Sequence, residues 1–238
     1  MKIALIGYGK MGKAIEAIAQ GRGHEIVHRI DINSSHLLEK EQLQQADVAI
    51  EFTTPETAYH NILKCFAANV PVVCGTTGWL EKLPEVKAQC LEQHQAFLYA
   101  SNFSVGVNIF FELNRRLAEL MATQSDYRSS MVEIHHTQKK DAPSGTAITL
   151  AEQILEKQPA KTGWVNEATT DPTKLGIVSE RVDPAPGTHI IQYDSPIDSI
   201  TITHTAHSRE GFAAGAVTAA EWLKDKKGIF SMKDVLSL

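Results

Sequence analysis

"KIALIGYGKMGKAIEAIA", residues 2–19, reads as a short apolar run, a glycine-rich turn, and then Met11, Ala14, Ile15, Ile18 and Ala19 recurring at helical spacing. The segment Gly7 to Gly12 fits G-x-G-x-x-G between a strand and a helix. In that context Gly7 makes the tight turn, Gly9 lets a pyrophosphate approach the backbone, and Gly12 lets helix and sheet pack closely. Unpaired N–H groups at the helix start then face the phosphates. The candidate cofactor contacts in this loop are Gly7, Gly9, Lys10, Met11 and Gly12.

Outward from this unit, residues 2 to about 100 alternate short apolar runs with longer helical patterns, as a parallel sheet covered by helices does. "KIALI", "EIVHRI", "DVAIEF", "VPVVC" and "AFLYA" are the expected strands, and Thr54-Pro55 supplies a helix cap followed by proline at the first helical position. This half is doubly wound α/β. Near "SNFSVGVN" (101–108) the character changes: a helical stretch to about residue 123 leads to "MVEIHH", a helix at 144–157, and the strands "GIVSERV", "THIIQYD" and "SITITHTAH". Asp-Pro, Pro-Gly and Ser-Pro turns separate those strands, so the second domain is expected to be α+β with a mostly antiparallel sheet. The expected division is a dinucleotide-binding domain over 1–104, rejoined by 211–238, and a substrate-binding and oligomerisation domain over 105–210. A helix over roughly 209–224 and a helical tail "FSMKDVLSL" would make that return, with hinges near 104 and 210.

Asp31 ends the second strand, one helix and one strand beyond Gly12, where an acid hydrogen-bonds the adenosine ribose hydroxyls. A carboxylate there repels a 2′-phosphate, and Ile32 and Asn33 supply no arginine to receive one. The pattern therefore favours NADH, while Lys10 in the loop offsets part of the repulsion and leaves NADPH open. Asp31 also reads as a plain solvated strand end. Two further loops follow strands at the ligand-binding edge, "FTTPE" (52–56) and "GTTGW" (75–79). They add Phe52 and Thr53, and Gly75, Thr76 and Thr77; Thr53 and Thr54 serve equally well as helix-capping residues. A glycine beside two threonines allows close backbone approach to a nicotinamide or ribose.

The remaining composition excludes several classes. In 238 residues, 43% hydrophobic and 21% charged, neither disorder nor a fibrous repeat is called for. With 23 Lys plus Arg against 28 Asp plus Glu, the formal charge of -5 gives no global attraction to nucleic acid or an anionic membrane. The expected ligand is a small molecule. No segment reads as a membrane span or signal peptide. Cys65, Cys74 and Cys90 show no paired framework, which suits a reduced, cytoplasmic setting.

"HHTQKKDAPSGTA", residues 135–147, concentrates the chemistry of the second half. On a strand, His135 and His136 face opposite sides and cannot share one metal ion, and Glu133 on the His135 side lacks an obvious third ligand, so no metal is expected. His204 and His207 are further imidazoles, more simply packed or solvated. The better reading is an anion trap with a proton donor. Lys139 and Lys140 bring positive charge, while Pro143, Ser144, Gly145 and Thr146 open a helix whose first N–H groups lack intrahelical acceptors. Each charge-assisted hydrogen bond to a carboxylate contributes roughly 1.5–3 kcal/mol, so converging donors overcome the unfavourable overall charge. One histidine is a candidate general acid and the other a substrate-orienting group.

"GYGKMG", "GTTGW", "SNFSVGVN", "EIHHTQKKDAPSGTA" and "GIFSMKDVL" together resemble the dihydrodipicolinate reductase (4-hydroxy-tetrahydrodipicolinate reductase) family, over nearly the whole chain. The resemblance implies a Rossmann-type cofactor domain and an antiparallel substrate domain. It also implies hydride transfer from a reduced nicotinamide to C4 of a cyclic imine dicarboxylate, with loss of water, in lysine and diaminopimelate biosynthesis. By resemblance, His135 is the general acid, Lys139 the cation pairing with substrate, His136 a further substrate contact, and Gly145 with Thr146 the carboxylate-binding turn. Gly75, Thr77, Ala100, Asn102 and Phe103 then line the nicotinamide site, and the assembly is a homotetramer. Two departures stand out: region 176–210 is shorter than in many members, and the arginine that often follows the acid after the second strand is absent. A different NAD-dependent dehydrogenase on the same scaffold, or a non-catalytic dinucleotide sensor, are the competing readings.

Overall fold

A computed structural model of the chain, described for residues 1–208 and 210–238, divides into two compact units, Met1–Val105 with Glu210–Leu238, and Gly106–Arg209. In the first unit the strands are β1 (Lys2–Ile6), β2 (Glu25–Ile30), β3 (Val48–Glu51), β4 (Val72–Cys74), β5 (Ala96–Tyr99) and β11 (Gly228–Phe230). Its helices are α1 (Lys10–Gly21), α2 (Lys40–Leu43), α3 (Pro55–Ala67), α4 (Leu83–Glu92), α7 (Glu210–Leu223) and α8 (Met232–Leu236). The sheet order is β11-β5-β4-β3-β1-β2 and every pairing is parallel. Strands β1, β3 and β4 are apolar almost throughout because both of their faces are covered. One core packs Ile3, Leu5 and Ile50 against Ile15, Ala19, Ala216 and Ala220; the other packs Ala4, Ile6 and Val72 against Ile62, Phe66 and Val86.

Register brings the strand ends level: Ile6 pairs with Ile30 and Glu51, Glu51 with Cys74, and Cys74 with Tyr99. The loops that follow, at 7–9, 31–34, 52–54, 75–79 and 100–104, therefore share the C-terminal edge of the sheet. The order reverses beside β1, so the loops after β1 and β3 flank the switch point where open α/β sheets bind ligands. The tail departs from the helical expectation. Phe230 belongs to β11, which extends the sheet beside β5 before α8 starts at Met232. Its three residues are too few to show a period in sequence. Arg209, where the sequence puts the start of the preceding helix and near which it puts a hinge, lies outside the described residues.

The second unit holds β6 (Arg128–His135), β7 (Gly163–Val165), β8 (Lys174–Arg181), β9 (Gly187–Asp194) and β10 (Ser199–Ala206), with α5 (Val105–Met121) and α6 (Gly145–Lys157). Its sheet order is β10-β9-β6-β8-β7. The pairs β6–β9 and β9–β10 are antiparallel, but β6–β8 and β7–β8 are parallel, so the sheet is mixed where sequence spacing predicted a mostly antiparallel one. The cause is α6, a crossover that returns the chain to β6's side in the same direction. One face packs Met131, Ile191 and Tyr193 on Phe110, Ala118, Leu150 and Ile154. Among the described residues, no helix is long and apolar enough to cross a membrane.

Candidate active site

At the C-terminal edge of the first sheet, Gly7 has φ +97°, and a Cβ there would lie 1.9 Å from the Phe52 carbonyl oxygen. Only glycine permits that turn and that approach. A Cβ on Gly12 would lie 2.4 Å from the Gly7 oxygen, whereas one on Gly9 would meet nothing within 4 Å. Gly7 and Gly12 are thus required by the protein's own packing, and Gly9 leaves backbone open at the start of α1, as close approach of a pyrophosphate demands. Lys10 and Asp31 are exposed and Met11 is half-buried. The Asp31 carboxylate is oriented by the Asn33 N–H (2.8 Å) and the Ser34 hydroxyl (3.0 Å), both donating to Oδ1.

The neighbouring loops are knitted together. Thr53 N–H donates to Thr76 Oγ1 at 2.7 Å, Trp79 Nε1 donates to the Thr76 carbonyl at 2.7 Å, and the Thr53 hydroxyl turns inward to the buried Glu51 carboxylate. Asn61 and the Cys74 thiol also point at Glu51. Thr53 and Thr76 therefore spend their side chains on the scaffold, leaving Thr77 exposed. Gly75 has a packing reason of its own, since a Cβ there would strike the Phe52 ring at 2.2 Å. The Phe52 and Phe103 rings meet at a tilt with centroids 5.5 Å apart, Ala100 and Phe103 are buried, and the buried Asn102 accepts from Ser104 N–H at 2.9 Å before α5. At the glycine loop, sequence reading missed a cluster in which the Tyr8 hydroxyl and Arg29 both bond Glu16.

In the second unit, alternation along β6 sends Ser129, Met131, Glu133 and His135 to the buried face. The strand ends at His135, and half-buried His136 lies just beyond it, beside a cavity of about 270 Å³ lined by Gln138, Asp183, Pro184 and Pro186. Asp183 holds the loop by accepting from Thr137 N–H (3.1 Å) and hydroxyl (2.6 Å). Ser144 is the N-cap of α6, with Oγ accepting from Ala147 N–H at 3.2 Å. The first i→i−4 bond of the helix is Ile148 N–H to Ser144 O, so the N–H groups of Gly145 and Thr146 are first-turn donors without helical acceptors. A Cβ on Gly145 would meet nothing within 4 Å, so this turn is open.

Lys139, expected to bring positive charge to the anion site, is paired within its own loop. Its ammonium donates to both oxygens of Asp141 at 2.8 Å, and this contact holds the Asp141 carboxyl below the usual range. Lys140 is exposed. A substrate carboxylate would have to compete with Asp141 for the Lys139 charge.

Behind the open turn lies a buried network that the sequence did not disclose. Ser144 N–H donates to both Glu133 oxygens at 3.1 Å, and Arg181 Nη2 donates to Glu133 Oε1 at 3.1 Å and to the Asp141 carbonyl at 2.7 Å. His135 Nδ1 is 3.3 Å from Glu133 Oε2, and His189 Nε2 is 3.2 Å from Ser144 Oγ and 3.9 Å from Glu133. The two imidazoles meet edge-on, centroids 5.2 Å apart. Burial pushes the His189 imidazole down to about 4, with His135 acting the same way and Glu133 opposing. Glu133, His135 and His189 offer ligand atoms within 4.8 Å of one another, so β9 supplies the third donor that spacing around His135 lacked. The Arg181 guanidinium and Ser144 N–H already occupy the carboxylate, which makes this an ion-pair network rather than a cation cage. Arg181 and His189 come from β8 and β9, separated from β6 along the chain by α6 and β7, so local pattern could not reveal them.

Residues 1–103 match the family model described as dihydrodipicolinate reductase, N-terminus, and residues 106–236 match that described as dihydrodipicolinate reductase, C-terminus. A 4-hydroxy-tetrahydrodipicolinate reductase of Christiangramia forsetii is 52% identical over 240 residues, covering 100% of this chain and 98% of its own. One from Methanoregula boonei is 32% identical over 254 residues, with 100% and 98% covered. Among solved structures, a dipicolinate-bound dihydrodipicolinate reductase from Paenisporosarcina superposes with a TM-score of 0.77 at 25% identity, covering 98% of each chain. An amine dehydrogenase from Mycobacterium smegmatis, at 11% identity, TM-score 0.61, and 96% and 94% coverage, shares the fold.

Proposed function

Because the chain belongs to the dihydrodipicolinate reductase family, we propose that it reduces 4-hydroxy-tetrahydrodipicolinate to tetrahydrodipicolinate with loss of water, using NAD(P)H, as a step of lysine and diaminopimelate synthesis. The observation that carries this reading is the full-length 52% identity to a 4-hydroxy-tetrahydrodipicolinate reductase, joined to an open, donor-rich helix start beside a buried imidazole.

The first unit is the cofactor domain. Its open Gly9 backbone and the start of α1 fit a pyrophosphate, Lys10 and Met11 flank it, and Asp31 suits ribose hydroxyls. Phe52, Gly75, Thr77, Ala100, Asn102 and Phe103 lie in loops at the same sheet edge and would border the nicotinamide, while Thr53 and Thr76 hold those loops in place. A reduced nicotinamide bound there supplies the hydride. The exposed Asp31 carboxylate, with no arginine in the two positions after it, supports a preference for NADH over NADPH.

The second unit is the substrate domain. Gly145 and Thr146 N–H groups, with Lys139 once released from Asp141, bind a ring carboxylate, and His136 makes a further contact. His135 delivers the proton. Its ring is buried at the end of β6, where a fixed imidazole suits the role of general acid. Assembly as a homotetramer in the cytoplasm completes the proposal. It is supported by the sheet face opposite α5 and α6, where Val132, Ile134 and Ile190 are half-buried and Thr201, Thr203 and Thr205 are exposed.

The test is direct: purified protein is given 4-hydroxy-tetrahydrodipicolinate with NADH or NADPH, and loss of the reduced dinucleotide is followed. Turnover with either, faster at low concentrations of NADH, is expected. Dinucleotide binding with no turnover would replace this reading with a sensor, and turnover only on other imines or sugars would replace it with another dehydrogenase.

A further inference from the structure

Glu133 and His135 alternate with Ile134 on β6, so both side chains enter the same buried layer, and the carboxylate is fully enclosed. Ser144 N–H, just ahead of α6, donates to both oxygens and Arg181 from β8 donates to one, while His135 Nδ1, a buried atom with no aligned hydrogen-bond partner, lies 3.3 Å from Oε2. Burial alone would push this carboxyl up, but His135 and Ser144 override it and hold Glu133 well below the usual carboxylate range. Arg181 balances its charge, so Glu133 stays ionised whether or not His135 carries an extra proton.

The opposite edge of the His135 ring has a complementary neighbour. A Cβ on Gly187 would lie 3.1 Å from His135 Nε2, so the glycine keeps that nitrogen clear of side-chain atoms. Neutral imidazole carries one N–H. With Nδ1 bare, a lone pair would face a carboxylate oxygen, which is repulsive; with Nδ1 protonated, a small turn of the ring aligns the N–H on Glu133 across the 3.3 Å gap, and Nε2 is left to exchange protons on the side that Gly187 keeps clear.

We propose that Glu133 is a positioning residue, whose carboxylate fixes His135 in the Nδ1–H tautomer and ties that ring to the first turn of α6, setting proton donor and anion-binding turn as one unit. The inference rests on the roles given above to His135 and the α6 turn. A buried carboxylate that orients a catalytic imidazole without itself taking the proton has a precedent in serine hydrolases. The charged or titratable groups facing His135 are Glu133 on its own strand, Arg181 on β8 and His189 on β9. His204 lies beyond on β10, Lys139 and Asp141 lie in the following loop, and α6 contributes the uncharged Ser144.

The experiment combines histidine 15N NMR of the full chain with kinetics of Glu133→Gln and Glu133→Asp. Expected are an Nδ1–H tautomer for His135 in the wild type and loss of that preference in Glu133→Gln. In the same variant kcat should fall about 10- to 100-fold and KM for the cyclic imine should rise, with NADH affinity unchanged and partial recovery in Glu133→Asp. An Nε2–H tautomer in the wild type, or a Glu133→Gln variant with wild-type kcat, overturns the inference. Should Glu133→Gln fail to fold, the wild-type tautomer and the kcat and NADH affinity of Glu133→Asp decide it. Absence of wild-type turnover alongside an Nδ1–H tautomer would instead sink the reaction assigned above and leave the positioning intact.

Discussion

Replacing His189 by glutamine should flatten the acid side of the stability profile. His189 is 5% exposed on β9, its Nε2 lies 3.2 Å from the Ser144 hydroxyl, and burial pushes its pKa from 6.5 to about 4. A histidine that stays neutral in the fold but takes a proton when unfolded gives the unfolded state the greater proton uptake. Stability therefore rises with pH across the window from 4 to 6.5 and is lost as pH falls through it. One pH unit of pKa difference is worth about 1.4 kcal/mol, so the full loss is roughly 3 kcal/mol, of which roughly 2 kcal/mol falls between pH 7 and pH 5. Glutamine keeps an N–H near the Nε2 position for Ser144 and removes the titration. Urea unfolding at pH 7, 6 and 5 should then show the wild type losing about 2 kcal/mol more than His189→Gln over that range. Equal losses in the two proteins would mean that His189 carries its proton in the folded state, and the argument from burial would fall.

Asp31→Ala should weaken NADH about tenfold by removing one charge-assisted hydrogen bond, while NADPH holds or gains; calorimetric titration giving an unchanged ratio would show that Asp31 does not read the ribose. Lys139→Ala should raise KM for the cyclic imine by roughly tenfold and leave NADH affinity as it was. Equal loss of both would assign the lysine, through its Asp141 pair, to loop structure. Gly187 has φ +158°, a backbone conformation that side chains rarely adopt, and a Cβ there would lie 3.1 Å from His135 Nε2, so Gly187→Ala should lower the thermal midpoint and, in the protein that remains folded, kcat as well. A wild-type kcat would show that Nε2 does not need that space.

Much of the first unit is legible in the sequence because its signals are local. The opening strand, glycine turn and helix, the five apolar runs, and Thr54-Pro55 each report their own conformation, and the parallel order follows from alternation with helices. Within the site, the same locality picked out the glycine turn from Gly7 to Gly12 ahead of α1 and the helix start at Ser144. What local spacing did not signal were contacts made by side chains: the Phe52 ring, which a Cβ on Gly75 would strike, and the Asp141 carboxylate, which pairs with the Lys139 ammonium.

By itself the amino-acid order determined most of the strands and helices, though not β7 or β11, that the first strand and helix flank a glycine loop of dinucleotide-binding pattern, and that imidazole, ammonium and helix-start N–H groups gather between His135 and Ala147. Only the tertiary structure decided that β8 runs parallel to β6 and lays Arg181 over Glu133, that β9 carries His189 against Ser144, and that Gly187 abuts the His135 ring. The reason is physical. Backbone conformation answers to near neighbours along the chain, whereas the ionisation of a buried carboxylate and the tautomer of a buried imidazole answer to whatever the fold packs against them.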